Sequence, residues 1–400
     1  MFKKNCLEGS NFHIIYIIIY LICLFQSILY VFLFNNNFLN LISHYTSHNE
    51  IGVDYFGLLV RNFDSPISTS HPYPPLSYLF YKILSIISFA DSTYIYEKHQ
   101  LIVFIFMILF LLLISFVIIK DNFFENNYRF LNLFIILSLL NYNVLGTIFT
   151  GNLSLVTLPL CLFYYYYYNS KNKFLHELSL IFLSIAFGLK LTPIIFCFTL
   201  LWNKNYKSFL RLMIYSLICL FFPLLLFKNG NGLFENAKSI LNAIIGYSNY
   251  QYGFFGGGEL FWYFSKVLNH FNINLDITIF SQIVSKVLLC LLIICSFISE
   301  NRTIKISALV YSHILIGPML THTGVIFVIP LLAMIIDKNK NLYLFLLFVF
   351  TNVPMRFLIS GMFKGHLEYI VHSMFLEIII YLIYIYILFD TLKYLKSKYS

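Results

Sequence analysis

The chain has 400 residues, 60% of them hydrophobic and only 11% charged, and its net charge is +9. A mean hydropathy of +0.80 excludes a soluble globular domain, and basic residues spread thinly along the loops offer no face to nucleic acid. Apolar runs of about 18 residues or more recur, and none alternates as barrel strands do, so the expected fold is an all-α polytopic membrane protein. The 20% aromatic share accompanies abundant Ile, Asn and Lys, the mark of AT-rich coding, and is not itself a binding surface.

Lys3 and Lys4 precede a first span from Phe12 to Phe34 and hold the N-terminus in the cytoplasm. This run is too long for a signal-peptide core and has no small-residue cleavage site after it, so it reads as a retained helix. Residues 35–97 form a first outer segment. Residues 99–119 return inward, 130–148 go out and 153–168 come back, ending in Tyr164 to Tyr168, which reads as an interfacial aromatic belt. Residues 208–227 go out to a second outer loop, 229–275, and 277–298 return; 342–361 go out, and 370–390 lead to a basic tail. With 35–97 and 229–275 outside, Lys120, Arg129, Lys171, Lys173, Lys204, Lys207, Arg211, Arg302, Lys305, Lys338, Lys340, Lys393, Lys396 and Lys398 are all cytoplasmic.

Residues 176–202 and 306–336 begin and end on the cytoplasmic side, so each holds two arms or none. Arms of ~13 residues reach about 20 Å, short of a full crossing. Each segment has polar or turn-forming residues at its middle: Lys190, Thr192 and Pro193 in one, and Gly317, Pro318, Thr321, His322, Thr323 and Gly324 in the other. They read as short hairpins whose tips stop in the outer half of the membrane, giving about ten to twelve helices in all. Irregular backbone at membrane depth survives only around a protein-lined or watery cavity, and ionisable residues there are functional candidates. The plainer readings are a snorkelling Lys190 and a His322 bonded to backbone carbonyls.

The first outer segment carries Gly52-Val53-Asp54-Tyr55, then Arg61 and Asp64, then His71-Pro72-Tyr73-Pro74-Pro75-Leu76. It is the one sizeable polar stretch after the first span, and Asp54 is its leading candidate for chemistry. Asp64 precedes Ser65-Pro66, a turn signature. Gly253 to Glu259, with Gly256-Gly257-Gly258, lacks the strand, Lys and Ser/Thr of a phosphate loop; it reads as a flexible outer loop, with Glu259 and Trp262 as candidate sugar contacts. The seven cysteines show no metal spacing and the histidines are scattered, so neither a metal nor another cofactor is expected. No internal repeat and no soluble domain is visible, and residues 1–400 read as a single membrane domain.

Four features in order resemble the GT-C superfamily of membrane glycosyltransferases, and within it glycosyltransferase family 87. They are Asp54-Tyr55 with Tyr73-Pro74-Pro75-Leu76, then Gly151-Asn152, then Lys190-Leu191-Thr192-Pro193, then Gly317-Pro318 with His322 and Pro330-Leu331-Leu332. Leu320 and Thr321 stand where the family usually has a tryptophan before its late histidine, and Asn152 stands where a Gln is also common. The resemblance implies a GT-C-type bundle with juxtamembrane helices in the first outer loop, one of them Tyr73 to Ala90. The charge pattern agrees, since a crossing there would invert every later loop.

The resemblance further implies transfer of a hexose, in the family's manner mannose, from a polyprenyl-phosphate sugar to a glycolipid or glycan acceptor in the membrane. Such a leaving group departs as an anion, so the reaction needs a base for the acceptor hydroxyl and cations or dipoles for the phosphate. Asp54 suits the first role; Lys190, His322 and Arg61 suit the second, with Tyr73 and Asn152 as further substrate contacts. One carboxylate acting in line would invert the anomeric centre. The absence of glycosylation-rich luminal domains favours a bacterial inner membrane with the site facing outward. The rival readings are a transporter, flippase or polymerase of lipid-linked saccharides, which calls for matching broken helices in two halves, and a non-catalytic assembly subunit.

Overall fold

The computed structural model describes residues 11–33, 73–87, 98–123, 130–226, 234–238, 241–242, 277–315, 324–353 and 366–399. Every element among them is helical. In chain order these are α1 (Phe12–Leu33), α2 (Pro75–Ile87), α3 (Lys98–Asn122), α4 (Leu131–Leu139), α5 (Tyr142–Thr150), α6 (Ser154–Tyr167) and α7 (Lys173–Leu189). There follow α8 (Phe198–Trp202), α9 (Tyr206–Phe221), α10 (Ile277–Ile298), α11 (Arg302–Ser312), α12 (Val328–Ile336), α13 (Leu342–Asn352) and α14 (His366–Tyr399).

Three described stretches, Gln100–Asn122, Tyr206–Leu226 and Phe375–Tyr399, are long and apolar enough to cross a membrane. On α3 the residues Leu101, Ile105, Phe106, Leu109, Phe110 and Leu113 are exposed, a large apolar surface that lipid covers and water does not. The chain is an all-α membrane protein. Its core lies around α6, α11 and α12; Val328 to Ile335 on α12 are buried all round.

Several expected spans are interrupted, each for a local reason. The stretch 130–148 is two helices, because Asn141 competes with the backbone: its Oδ1 accepts from Val144 N–H at 2.9 Å and its Nδ2 donates to Ser138 O at 3.0 Å. The span expected at 208–227 ends as a tighter turn over Phe222–Leu226, where Pro223 cannot continue the α-helical ladder. The basic tail is the continuation of α14 to Tyr399.

Both expected hairpins close at their bases. His176 near the start of α7 bonds Ser208 Oγ at 2.8 Å, six residues beyond the end of α8, so the segment has turned back on itself. At the other hairpin Thr303 Oγ1 donates to Asp337 Oδ2 at 3.0 Å, and Arg302 pairs with Asp337 at 3.7 Å. The basic loops gather at this end of the molecule. Tyr167 donates to Asp121 at 2.8 Å, Arg302 lies over the Tyr165 ring, and Lys305 lies over Trp202.

The tyrosine run requires a correction. Tyr164 and Tyr165 are fully buried, not an interfacial belt: Tyr164 shares a hydroxyl hydrogen bond with Thr199 at 2.6 Å, and Tyr165 carries Arg302 on its face. Five consecutive tyrosines on a helix point in every direction, so some of them must enter the core.

Candidate functional site

The site lies at the far end of α6 and α7 from the basic loops, about 20–25 Å away by helical rise. It begins where α7 breaks. Continuing that helix would require residue 193 to donate its N–H to Leu189 O, and residue 193 is a proline. Lys190 therefore turns extended (φ −144°, ψ 127°), and Thr192–Cys197 restart as a 3-10 turn with proline in its first turn, where nothing is lost. The stranded Leu189 carbonyl is taken by α2: Ser77 Oγ donates to it at 2.6 Å, and Ser77 is fully buried.

Gly188 makes that approach possible. A Cβ there would sit 2.8 Å from Leu76 Cδ2 and 2.9 Å from Cys219 Cβ, so α2, α7 and α9 meet at a point with no room for a side chain. The helix α2 begins at Pro75, where a proline costs nothing in the first turn, and its 13 described residues are too few to cross. Ser77, Tyr78, Tyr81 and Leu84 face inward, while Ile83, Ile86 and Ile87 are exposed.

Asn152 arrives by a different device. Gly151 takes the left-handed conformation (φ 70°) and its N–H reaches Ile148 O, while Asn152 N–H reaches Thr147 O at 3.2 Å, the paired closure of a Schellman turn. Asn152 Oδ1 then caps α6, accepting from Ser154 N–H at 3.0 Å and Ser154 Oγ at 2.9 Å. With its oxygen so committed, the amide nitrogen points outward and donates to Tyr73 Oη at 3.2 Å.

Tyr73 joins the pieces. Its ring lies under Lys190, with Nζ 4.9 Å from the centroid, and it meets Tyr81 edge to face at 6.5 Å. A cation over an aromatic face is attracted by the ring quadrupole, which fixes where the ammonium sits. Lys190 is half-buried, whereas Tyr73 and Asn152 are buried. The structure thus brings together three predicted site residues drawn from three separate motifs. Asp54, Arg61 and His322 lie outside the described residues, as do Asp64, Gly256 to Gly258, Glu259, Trp262, Gly317 and Pro318.

Three participants escaped the sequence reading. Ser77 and Gly188 look unremarkable in sequence, and only the distance from Leu189 to Pro193 hints that a hydroxyl is needed nearby. His313 was legible: it is an ionisable residue in an otherwise apolar run, which is itself a signal at membrane depth. It is buried in the 3-10 turn His313–Leu315, within range of the Lys190 charge. Among the described residues no group of three or more His, Cys, Asp or Glu side chains gathers as a metal site would require.

Residues 71–315 match the family model of glycosyltransferase family 87. That is more than half the chain, and it includes Tyr73, Asn152 and Lys190 but neither Asp54 nor His322. No curated protein and no solved structure gives a significant match. The family match decides for a sugar-transferring enzyme over a transporter or a non-catalytic subunit. An all-α membrane protein whose matched range holds this Lys–Tyr–Asn cluster belongs to glycosyltransferase family 87.

Proposed function

We propose that the enzyme moves a hexose, mannose in the first instance, from a polyprenyl-phosphate donor to a lipid-linked or glycan acceptor, with inversion, the whole chain working as one membrane domain. The observation that carries this reading is the half-buried Lys190 ammonium, held over Tyr73 at a break in α7 and remote from the basic loops. An ionisable side chain kept at membrane depth is a functional candidate, and an ammonium is a point charge suited to a phosphate headgroup.

In the reaction the acceptor oxygen bonds to the anomeric carbon as the carbon–oxygen bond to the phosphate breaks. The electron pair leaves with the phosphate, and Asp54 takes the proton of the acceptor hydroxyl. Lys190, with His322 and Arg61, offsets the charge gathering on the departing phosphate. Asn152 holds Tyr73 in place beneath Lys190. If the basic loops are cytoplasmic, the Lys190 end faces outward, the expected side for a bacterial inner-membrane enzyme using such a donor.

Purified protein in liposomes, given a polyprenyl-phosphate mannose and a lipid acceptor, is expected to transfer sugar with inversion. His322→Ala is expected to raise the donor KM more than the acceptor KM. Transfer from a nucleotide sugar but from no polyprenyl-phosphate sugar would overturn the donor assignment.

A further inference from the structure

His313 closes α11, the first arm of the second hairpin. It is only 3% exposed, and its Nδ1 is buried with no hydrogen-bond partner among the described residues. The turn that carries it packs on the 3-10 turn Thr192–Cys197, two residues beyond Lys190, and the imidazole feels the Lys190 charge. Buried polar atoms are paired almost without exception, so an unpaired one beside a cation calls for a ligand.

The kind of ligand follows from what each group can do. Ser138, Asn143, Tyr165, Tyr166 and Asn352 also leave a buried side-chain atom unpartnered among the described residues, so that feature alone does not mark a site; His313 is set apart by the packing of its turn on the one that follows Lys190. An imidazole nitrogen can carry a proton and donate it, and a lysine ammonium can only donate. Two donors carried on neighbouring turns, one charged and one neutral, form a pair that a phosphate oxygen satisfies and a sugar hydroxyl satisfies poorly.

We infer that His313 is a further ligand for the donor phosphate, paired with Lys190 across the two hairpins, an assignment that rests on the donor reading above. The imidazole reaches the phosphate from α11 while the ammonium reaches it from the break in α7. The headgroup would then clamp together two segments whose bases are already tied by His176–Ser208 and Thr303–Asp337.

The test is equilibrium binding of geranylgeranyl phosphate to the full-length protein, with geranylgeraniol as the phosphate-free control. Wild type is expected to prefer the phosphate. His313→Phe fills the space without a donor and is expected to weaken phosphate binding roughly 10- to 100-fold, the size of one hydrogen bond to a charged group. Alcohol binding should not change. His313→Gln keeps an N–H at similar reach and is expected to stay within a few-fold of wild type. If His313→Phe does not fold, His313→Asn, whose amide falls short, replaces it under the same expectation. Wild-type phosphate affinity in a folded His313→Phe, with Lys190→Met weakened, would overturn this inference alone. No phosphate preference in the wild type, or wild-type affinity in both variants, would overturn the donor reading itself.

Discussion

The Lys190 ammonium stands 4.9 Å from the centre of the Tyr73 ring, whose hydroxyl takes a hydrogen bond from Asn152 at 3.2 Å. One side chain thus holds the cation by its face and is itself held by its edge. The two functions separate by substitution. Tyr73→Phe keeps the ring and removes the hydroxyl, so a donor KM a few-fold above wild type is expected. Tyr73→Leu also removes the aromatic face, worth about 0.5–2 kcal/mol to a cation, and should raise the donor KM further by up to roughly 30-fold. Equal donor KM values for the two variants would show that the ring does nothing for Lys190.

Ser77→Ala leaves the Leu189 carbonyl buried without a donor, because Pro193 has none to give. The expected loss is about 1–3 kcal/mol, the cost of an unpaired buried acceptor. Thermal unfolding in detergent measures it, and Ser77→Thr, which keeps the hydroxyl, should lose less.

Gly188→Ala should displace α2, since its new methyl falls 2.8 Å from Leu76 Cδ2. Activity and melting temperature are both expected to drop. Pairing it with Leu76→Ala removes that collision but leaves the one with Cys219, so the double variant should recover only in part. Full activity in Gly188→Ala alone would contradict the close approach.

Asp54→Asn keeps the shape of the side chain and removes its basicity, so transfer is expected to fall by about two orders of magnitude or more while donor binding survives. Asp64→Asn is the control and should retain most activity. The reverse pattern would move the base to Asp64, and full activity in both would remove the carboxylate mechanism altogether.

Labels at Lys171, Arg302 and Lys338 are expected to react only from the cytoplasm, and labels within 35–97 and 229–275 only from outside. A cytoplasmic label near Asp91 would mean that the chain crosses between Tyr73 and Ala90, and the outward-facing site would be lost with it.

The break at the end of α7 and the α2 start were readable because charge and proline act locally: Lys190 and Pro193 announce a break wherever the chain goes. The convergence of Tyr73, Asn152 and Lys190 could be anticipated from motif order, but the Tyr73–Asn152 bond and the cation over the ring depend on tertiary approach. Ser77 and Gly188 were hidden because a serine or glycine in an apolar run has no distinctive pattern until its neighbour is known. The Tyr164–Tyr168 run misled for the opposite reason. A composition that suits an interface suits a core equally well when Thr199 and Arg302 are there to meet it.

The interruption at Lys190 also bears on how the protein enters the bilayer. A hydrophobic helix inserts on its own merit, but a lysine near the centre of a span costs about 2.5–3.5 kcal/mol at that step. The 17 residues of α7 end at this lysine, and the return arm, Thr192 to Trp202, is shorter still. Neither arm is a strong insertion signal alone. The two arms are expected to partition together, with the lysine carried at the bend, so a truncation between them should strand both.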